Sequence, residues 1–166
     1  MILITEITRN LKTEFSTKRR DSLPIEWYES TKRIQRLKTD DGLEIAIRLL
    51  GTNGRLQDGD ILYEDEDAIV VVVIKPCEVL VIPIPDIPTI GFISCEIGNK
   101  HLPLFVEDGV LLLPFERPML HWLESNGFNP QRAERKLKNG LNANVDPSHH
   151  KSMRVATQKI KVLIKE

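Results

Sequence analysis

Four prolines, Pro76, Pro83, Pro85 and Pro88, separate two stretches of different rhythm, and this break constrains the fold more than any other feature. Proline fixes φ and donates no backbone hydrogen bond, so neither a helix nor a central strand runs unbroken through such a cluster. A domain junction is therefore expected at 75–77. With 166 residues the chain is long enough for one average domain or two small ones, and the break favours two.

Before the break the pattern is that of short strands. Leu43, Ile45, Ile47 and Leu49 alternate with Glu44, Ala46 and Arg48, the period of a half-buried strand. Turn residues follow at Gly51-Thr52-Asn53-Gly54 and Asp58-Gly59-Asp60, then Ile61-Leu62-Tyr63 and the apolar run Ala68–Ile74. The N-terminal MILITEITRNLK, with its short apolar stretch, reads as a first strand, and residues 1–75 as a meander of antiparallel strands. Positions 58–67 carry six acids and no base, but lack the ligand spacing of a calcium loop and read as a solvated hairpin face.

After the break the elements alternate. Glu78–Ile84 reads as a strand, and Asp86 as the N-cap of a helix to Ile97, with Ile90, Ile93 and Ile97 on one face and Gly98 as its stop. Strands are expected over Leu102–Val106 and Val110–Leu113, joined by Glu107-Asp108-Gly109. Pro118 then opens a short helix ended by Asn126-Gly127, and Gln131–Lys138 supplies a last strand. The order is β-α-β-β-α-β, so the expected class is α+β: a β-rich N-terminal domain, then a ferredoxin-like domain over 76–140. Residues 141–166 form a basic tail; from Arg132 to Glu166 there are nine bases against three acids.

Several classes of function fall away. The longest apolar run has seven residues where a bilayer span needs about 20. The N-terminus lacks the basic and cleavage regions of a signal peptide. The two cysteines, Cys77 and Cys95, form no C-x-x-C pair, so a cytoplasmic chain is expected. The tail's lysines are not interleaved with aromatics, which argues against nucleic acid. No serine-hydrolase, zinc-protease, P-loop or dinucleotide motif is present, so an enzyme is not expected.

The chemistry left is that of four histidines. His121, between Leu120 and Trp122, reads as a structural, half-buried residue; Cys95 reads as core packing. His101 follows the helix stop, at a connection expected on the surface. It is either an ordinary loop histidine or a ligand that a two-fold axis pairs with its copy, imidazole suiting nickel, copper and zinc. His149 and His150 in the tail either reach over to such a metal or belong to a polar linker. Imidazole binds metal only when neutral, so binding at such a site is expected to weaken in acid.

The segment Cys95–Phe105, CEIGNKHLPLF, resembles the region around the metal-binding histidine of the urease accessory protein family UreE, whose pattern is roughly L-G-N-R-H-x-P-L. Arg33 and Arg36, then Asp41-Gly42, the Leu43–Leu49 strand and Leu56-x-Asp58-Gly59-Asp60-x-Leu62 are similar to that family's first domain. The resemblance covers about residues 1–140. It implies a homodimeric nickel metallochaperone with His101 at the interface, handing Ni2+ to a urease activation complex containing the GTPase UreG with UreF and UreD (or UreH). Zn2+ and Cu2+ are expected to bind as well. Lys100 stands where the family has arginine, Leu111–Arg117 has no histidine, and the tail offers only His149 and His150. About one ion per dimer is therefore expected, and the competing reading is a protein-interaction module with incidental metal binding.

Overall fold

The computed structural model describes residues 1–51, 54–107, 109–138 and 140–141. Its strands form three sheets. The first six are β1 (Ile2–Ile4), β2 (Arg19–Ile25), β3 (Ile34–Lys38), β4 (Glu44–Arg48), β5 (Ile61–Glu64) and β6 (Ala68–Ile74). They make two three-stranded sheets, β1-β4-β3 and β2-β6-β5. The inward residues of both, among them Ile4, Ile45, Ile47, Leu23, Ile25, Val70 and Val72, share one buried cluster.

The antiparallel meander expected here is corrected by the structure. β1 runs parallel to β4, and β2 runs parallel to β6 along seven paired residues. Alternation fixes which side chains face inward, and Ile45, Ile47 and Leu49 are indeed buried while Glu44 and Arg48 are exposed. It is blind to strand direction, which depends on which distant strand becomes the neighbour.

The acidic stretch 58–67 is largely consumed by the fold. Asp58 accepts from the Ile74 amide and pairs with Lys136 and Lys138 at 3.1 and 2.8 Å. Burial pushes its carboxyl up, but the two ammoniums and the amide outweigh this and hold it below the usual range. Asp60 is buried, accepts from Asn10 and from the Gln57 amide, and is pushed up by burial. Glu64 pairs with Arg9 and Lys18, and Asp65 accepts from two amides of its own turn.

The third sheet holds β7 (Cys77–Pro83), β8 (Phe105–Glu107), β9 (Val110–Pro114) and β10 (Gln131–Arg135) in the order β10-β7-β9-β8, every pair antiparallel. Helix α1 (Ile87–Asn99) joins β7 to β8, and α2 (Arg117–Ser125) joins β9 to β10. This is the β-α-β-β-α-β element order the sequence implies. Leu80, Ile82, Leu111 and Leu113 pack on the helices through Ile93, Ile97, Met119 and Leu123. The other face, with Val79, Phe105 and Leu112, is covered by Leu137 and by Trp27, whose ring meets Phe105 edge-on at 5.7 Å. No helix of the described residues is long and apolar enough to cross a membrane.

Candidate metal centre

Helix α1 begins as its sequence requires. Asp86 is extended and accepts from the Thr89 amide at 2.7 Å, and Pro88 sits in the first turn where no backbone donor is missed. These bonds from Thr89 hold the Asp86 carboxyl below its ordinary range.

The helix does not end at Gly98. It continues to Asn99, and Lys100 caps it. The reversal falls on His101, with φ of 55°, the only non-glycine residue with positive φ among those described. The His101 amide donates to the Gly98 carbonyl at 2.9 Å and the Leu102 amide to the Ile97 carbonyl at 3.1 Å. These are the two bonds of a Schellman cap, with Leu102 and Ile97 completing its apolar contact in one cluster. A cap of this kind favours glycine at the reversing position; an L side chain there costs about 1 kcal/mol. Gly98 misled the sequence reading because it stands three residues earlier, inside the last helical turn.

His101 is therefore an exposed imidazole on a rigidly defined corner. It stands at the helix C-terminus, whose partial negative charge favours a cation. Lys100 beside it is engaged by Glu96 one turn back, Nζ to Oε1 2.7 Å, the single contact that lysine makes in place of an arginine fork.

Two other expectations are corrected. Cys95 is exposed rather than packed in the core, with Asn99 Nδ2 3.8 Å from its sulfur. His121 is exposed too, its side chain 76% accessible and Nδ1 3.9 Å from Glu124. Each lies beside the buried stripe of its helix, where one position's rotation turns a side chain outward. His149 and His150 lie outside the described residues.

Among the described residues no three His, Cys, Asp or Glu side chains gather to hold an ion. Two further features belong to the strand segment and the helix on either side of His101. Leu141 donates its amide to the Leu104 carbonyl at 2.8 Å, and Gly140 bridges to Phe105, so the chain passes into the tail beside the segment that starts at His101. And the exposed residues of α1 are mostly apolar or small: Ile87 is 83% exposed and Phe92 53%, its ring stacked on Trp122 at 5.6 Å, with Gly91, Cys95, Gly98 and the polar Asn99 also at the surface. A side chain at Gly91 or Gly98 would touch nothing within 4 Å. The left-handed cap was detectable in principle: polar residues at 99–101 between apolar Ile97 and Leu102 repeat the spacing of Leu123 and Phe128 at the end of α2.

Comparison with known proteins agrees with the earlier resemblance. The family model described as UreE urease accessory protein, N-terminal domain, matches residues 4–75. A urease accessory protein UreE of Flavobacterium johnsoniae is 42% identical over 151 residues, 90% of this chain and 91% of the relative. Those of Actinobacillus pleuropneumoniae and Acetivibrio thermocellus are 39% and 33% identical over 78% of this chain, covering 69% and 84% of their own lengths.

Proposed function

The chain belongs to the UreE family of urease accessory proteins, a family named for assisting an enzyme and not for catalysis, and on that premise we propose that it carries Ni2+ at a homodimer interface and delivers it, in the cytoplasm, to the urease activation complex of UreG, UreF and UreD (or UreH). The observation that carries this reading is His101: an exposed imidazole held in a left-handed position that glycine would occupy at lower cost. Residues kept against a local conformational preference, on the surface, are retained for what they touch.

A second copy supplies the matching imidazole. The exposed face of α1 supports this, since Gly91 and Gly98 lower helix stability by up to about 1 kcal/mol each and no neighbour among the described residues requires them. Close approach of another helix is a use for both glycines and for the exposed Ile87 and Phe92. In this arrangement residues 76–140 bind metal and dimerise, and 1–75 face partner proteins.

His149 and His150 join the centre from the tail. Eight residues separate Leu141 from His149, a reach of up to roughly 26–29 Å, whereas Leu104 is only three residues from His101. A few neutral nitrogens leave coordination positions open, which suits an ion that must be handed on. Zn2+ and Cu2+ bind such a set as well, so the cell's supply and the receiving complex select nickel.

Calorimetric titration with Ni2+, with light scattering on the same samples, tests the reading. One ion per dimer, lost in His101→Ala while the dimer persists, is expected. Equal binding by both proteins would remove His101 from the function and leave a protein-interaction module as the better account.

A further inference from the structure

Which surface of 1–75 meets the receiving complex is a separate question; in the acidic hairpin Asp58, Asp60, Glu64 and Asp65 are engaged within the fold, which leaves Glu66 and Asp67 at its tip. Basic side chains without an ion pair gather on the outer face of β1-β4-β3. Register places Leu3, Ala46 and Arg36 side by side across the three strands, flanked by the pair Ile34 and Arg48 and by the pair Lys38 and Glu44. Leu3 is 60% and Ile34 69% exposed. A groove of about 290 Å3 opens beside these strands, lined by Met1, Arg36, Lys38 and Glu44 of this face and by the inward Leu37 and Ile45.

Three cations therefore face one anion. Elsewhere Arg9, Lys18, Arg19, Lys75, Arg132, Lys136 and Lys138 are each paired with a carboxylate, while Lys12, Arg20 and Arg33 also lack an ion pair among the described residues but are not brought onto this face by the register. No ion pair within 4.0 Å forms at Arg36, Lys38 or Arg48 among the described residues. Unpaired arginines beside exposed aliphatic side chains have the composition of a protein interface. The face has no aromatic platform for bases, and the chain's net charge of -1 gives no general attraction to a polyanion.

We propose that the outer face of the β1-β4-β3 sheet docks an acidic protein surface with an apolar centre, presented by the urease maturation machinery that receives the metal. The apolar centre of that surface meets Leu3, Ala46 and Ile34, and its carboxylates meet Arg36, Lys38 and Arg48. Strands of five residues about 17 Å long and 4.8 Å apart make a small face, suited to a transient handover. Such contacts steer encounter more than they add to affinity, so association weakens with salt. The proposal rests on the delivery reading, and the two are separable.

The probe is immobilised urease apoprotein in complex with its remaining accessory proteins. Wild type, Arg36→Glu/Arg48→Glu, Arg36→Lys/Arg48→Lys, Leu3→Ser/Ile34→Ser and His101→Gly are passed over it between 50 and 300 mM NaCl. Association at least tenfold weaker in the charge reversal, with most of its salt dependence gone, is expected; the lysine pair retains most binding and the serine pair weakens it severalfold. Nickel isotherms and melting temperatures of the three sheet variants should match wild type, while His101→Gly should dock normally and lose metal. Unchanged docking by both the charge reversal and the serine pair overturns the proposal and leaves delivery standing. So does a sheet face that instead retains phosphatidylserine vesicles or duplex DNA in parallel runs. No docking by wild type overturns both.

Discussion

The two helices of the third sheet end in the same way and differ in the residue that takes the left-handed position. At the end of α2 the Gly127 amide donates to Glu124 and the Phe128 amide to Leu123, both at 3.0–3.1 Å, and Gly127 has φ of 79°. At the end of α1 the corresponding bonds run from His101 to Gly98 and from Leu102 to Ile97. Both caps close over a fully buried residue, Leu123 or Ile97. The backbone asks the same of position 127 and position 101, so the cap geometry by itself does not call for a histidine at 101. Gly42, Gly59 and Gly109 are left-handed as well, and His101 alone departs from that choice among the described residues.

The comparison can be broken at the buried anchor. Ile97→Ala and Leu123→Ala each remove a side chain with 0% exposure and should cost about 3 kcal/mol or more, read from urea unfolding. Similar losses would show that the two caps close over equivalent cores; a loss below about 1 kcal/mol at either end would mean that end is not held as described.

A sharper test moves the glycine. Gly127→Ala meets no atom within 4 Å, so the penalty is conformational alone, about 1–2 kcal/mol. A neutral result would show that left-handed geometry is cheap in this chain and would take the force out of His101.

The smallest effect serves as a control that touches neither helix end. Asp58 has its carboxyl held below the usual range, so its contribution is full above the unfolded value near 4 and is lost as pH falls through the lower folded value. Asp58→Asn should lower stability at pH 7 by about 1 kcal/mol or less, and the difference from wild type should vanish in acid. A difference that grows below pH 4 would contradict the sign.

The third sheet with its helices is the more legible half in the sequence, because its signals are local. Asp86, Pro88, Pro118 and Gly127 act within a turn of where they stand, and the hydrophobic runs between them define β7, β9 and the two helices. The first half pairs strands 43 and 49 residues apart in parallel, Ile2 with Ile45 and Arg19 with Ala68, and no local pattern encodes that choice. Cys95 and His121 were misjudged because apolar sequence neighbours do not decide which way a helical side chain faces. His101 was found through its motif, while its left-handed backbone, the physical reason for attending to it, emerged only from the cap.

The most direct measurement is a nickel isotherm and a thermal unfolding curve on the same preparation of His101→Gly. Glycine fits the reversed backbone, so metal-free His101→Gly should be as stable as wild type or more so, by up to about 1 kcal/mol, with tight nickel binding gone. A variant that binds nickel like wild type would contradict the account, and one that loses stability along with the metal would return His101 to the fold.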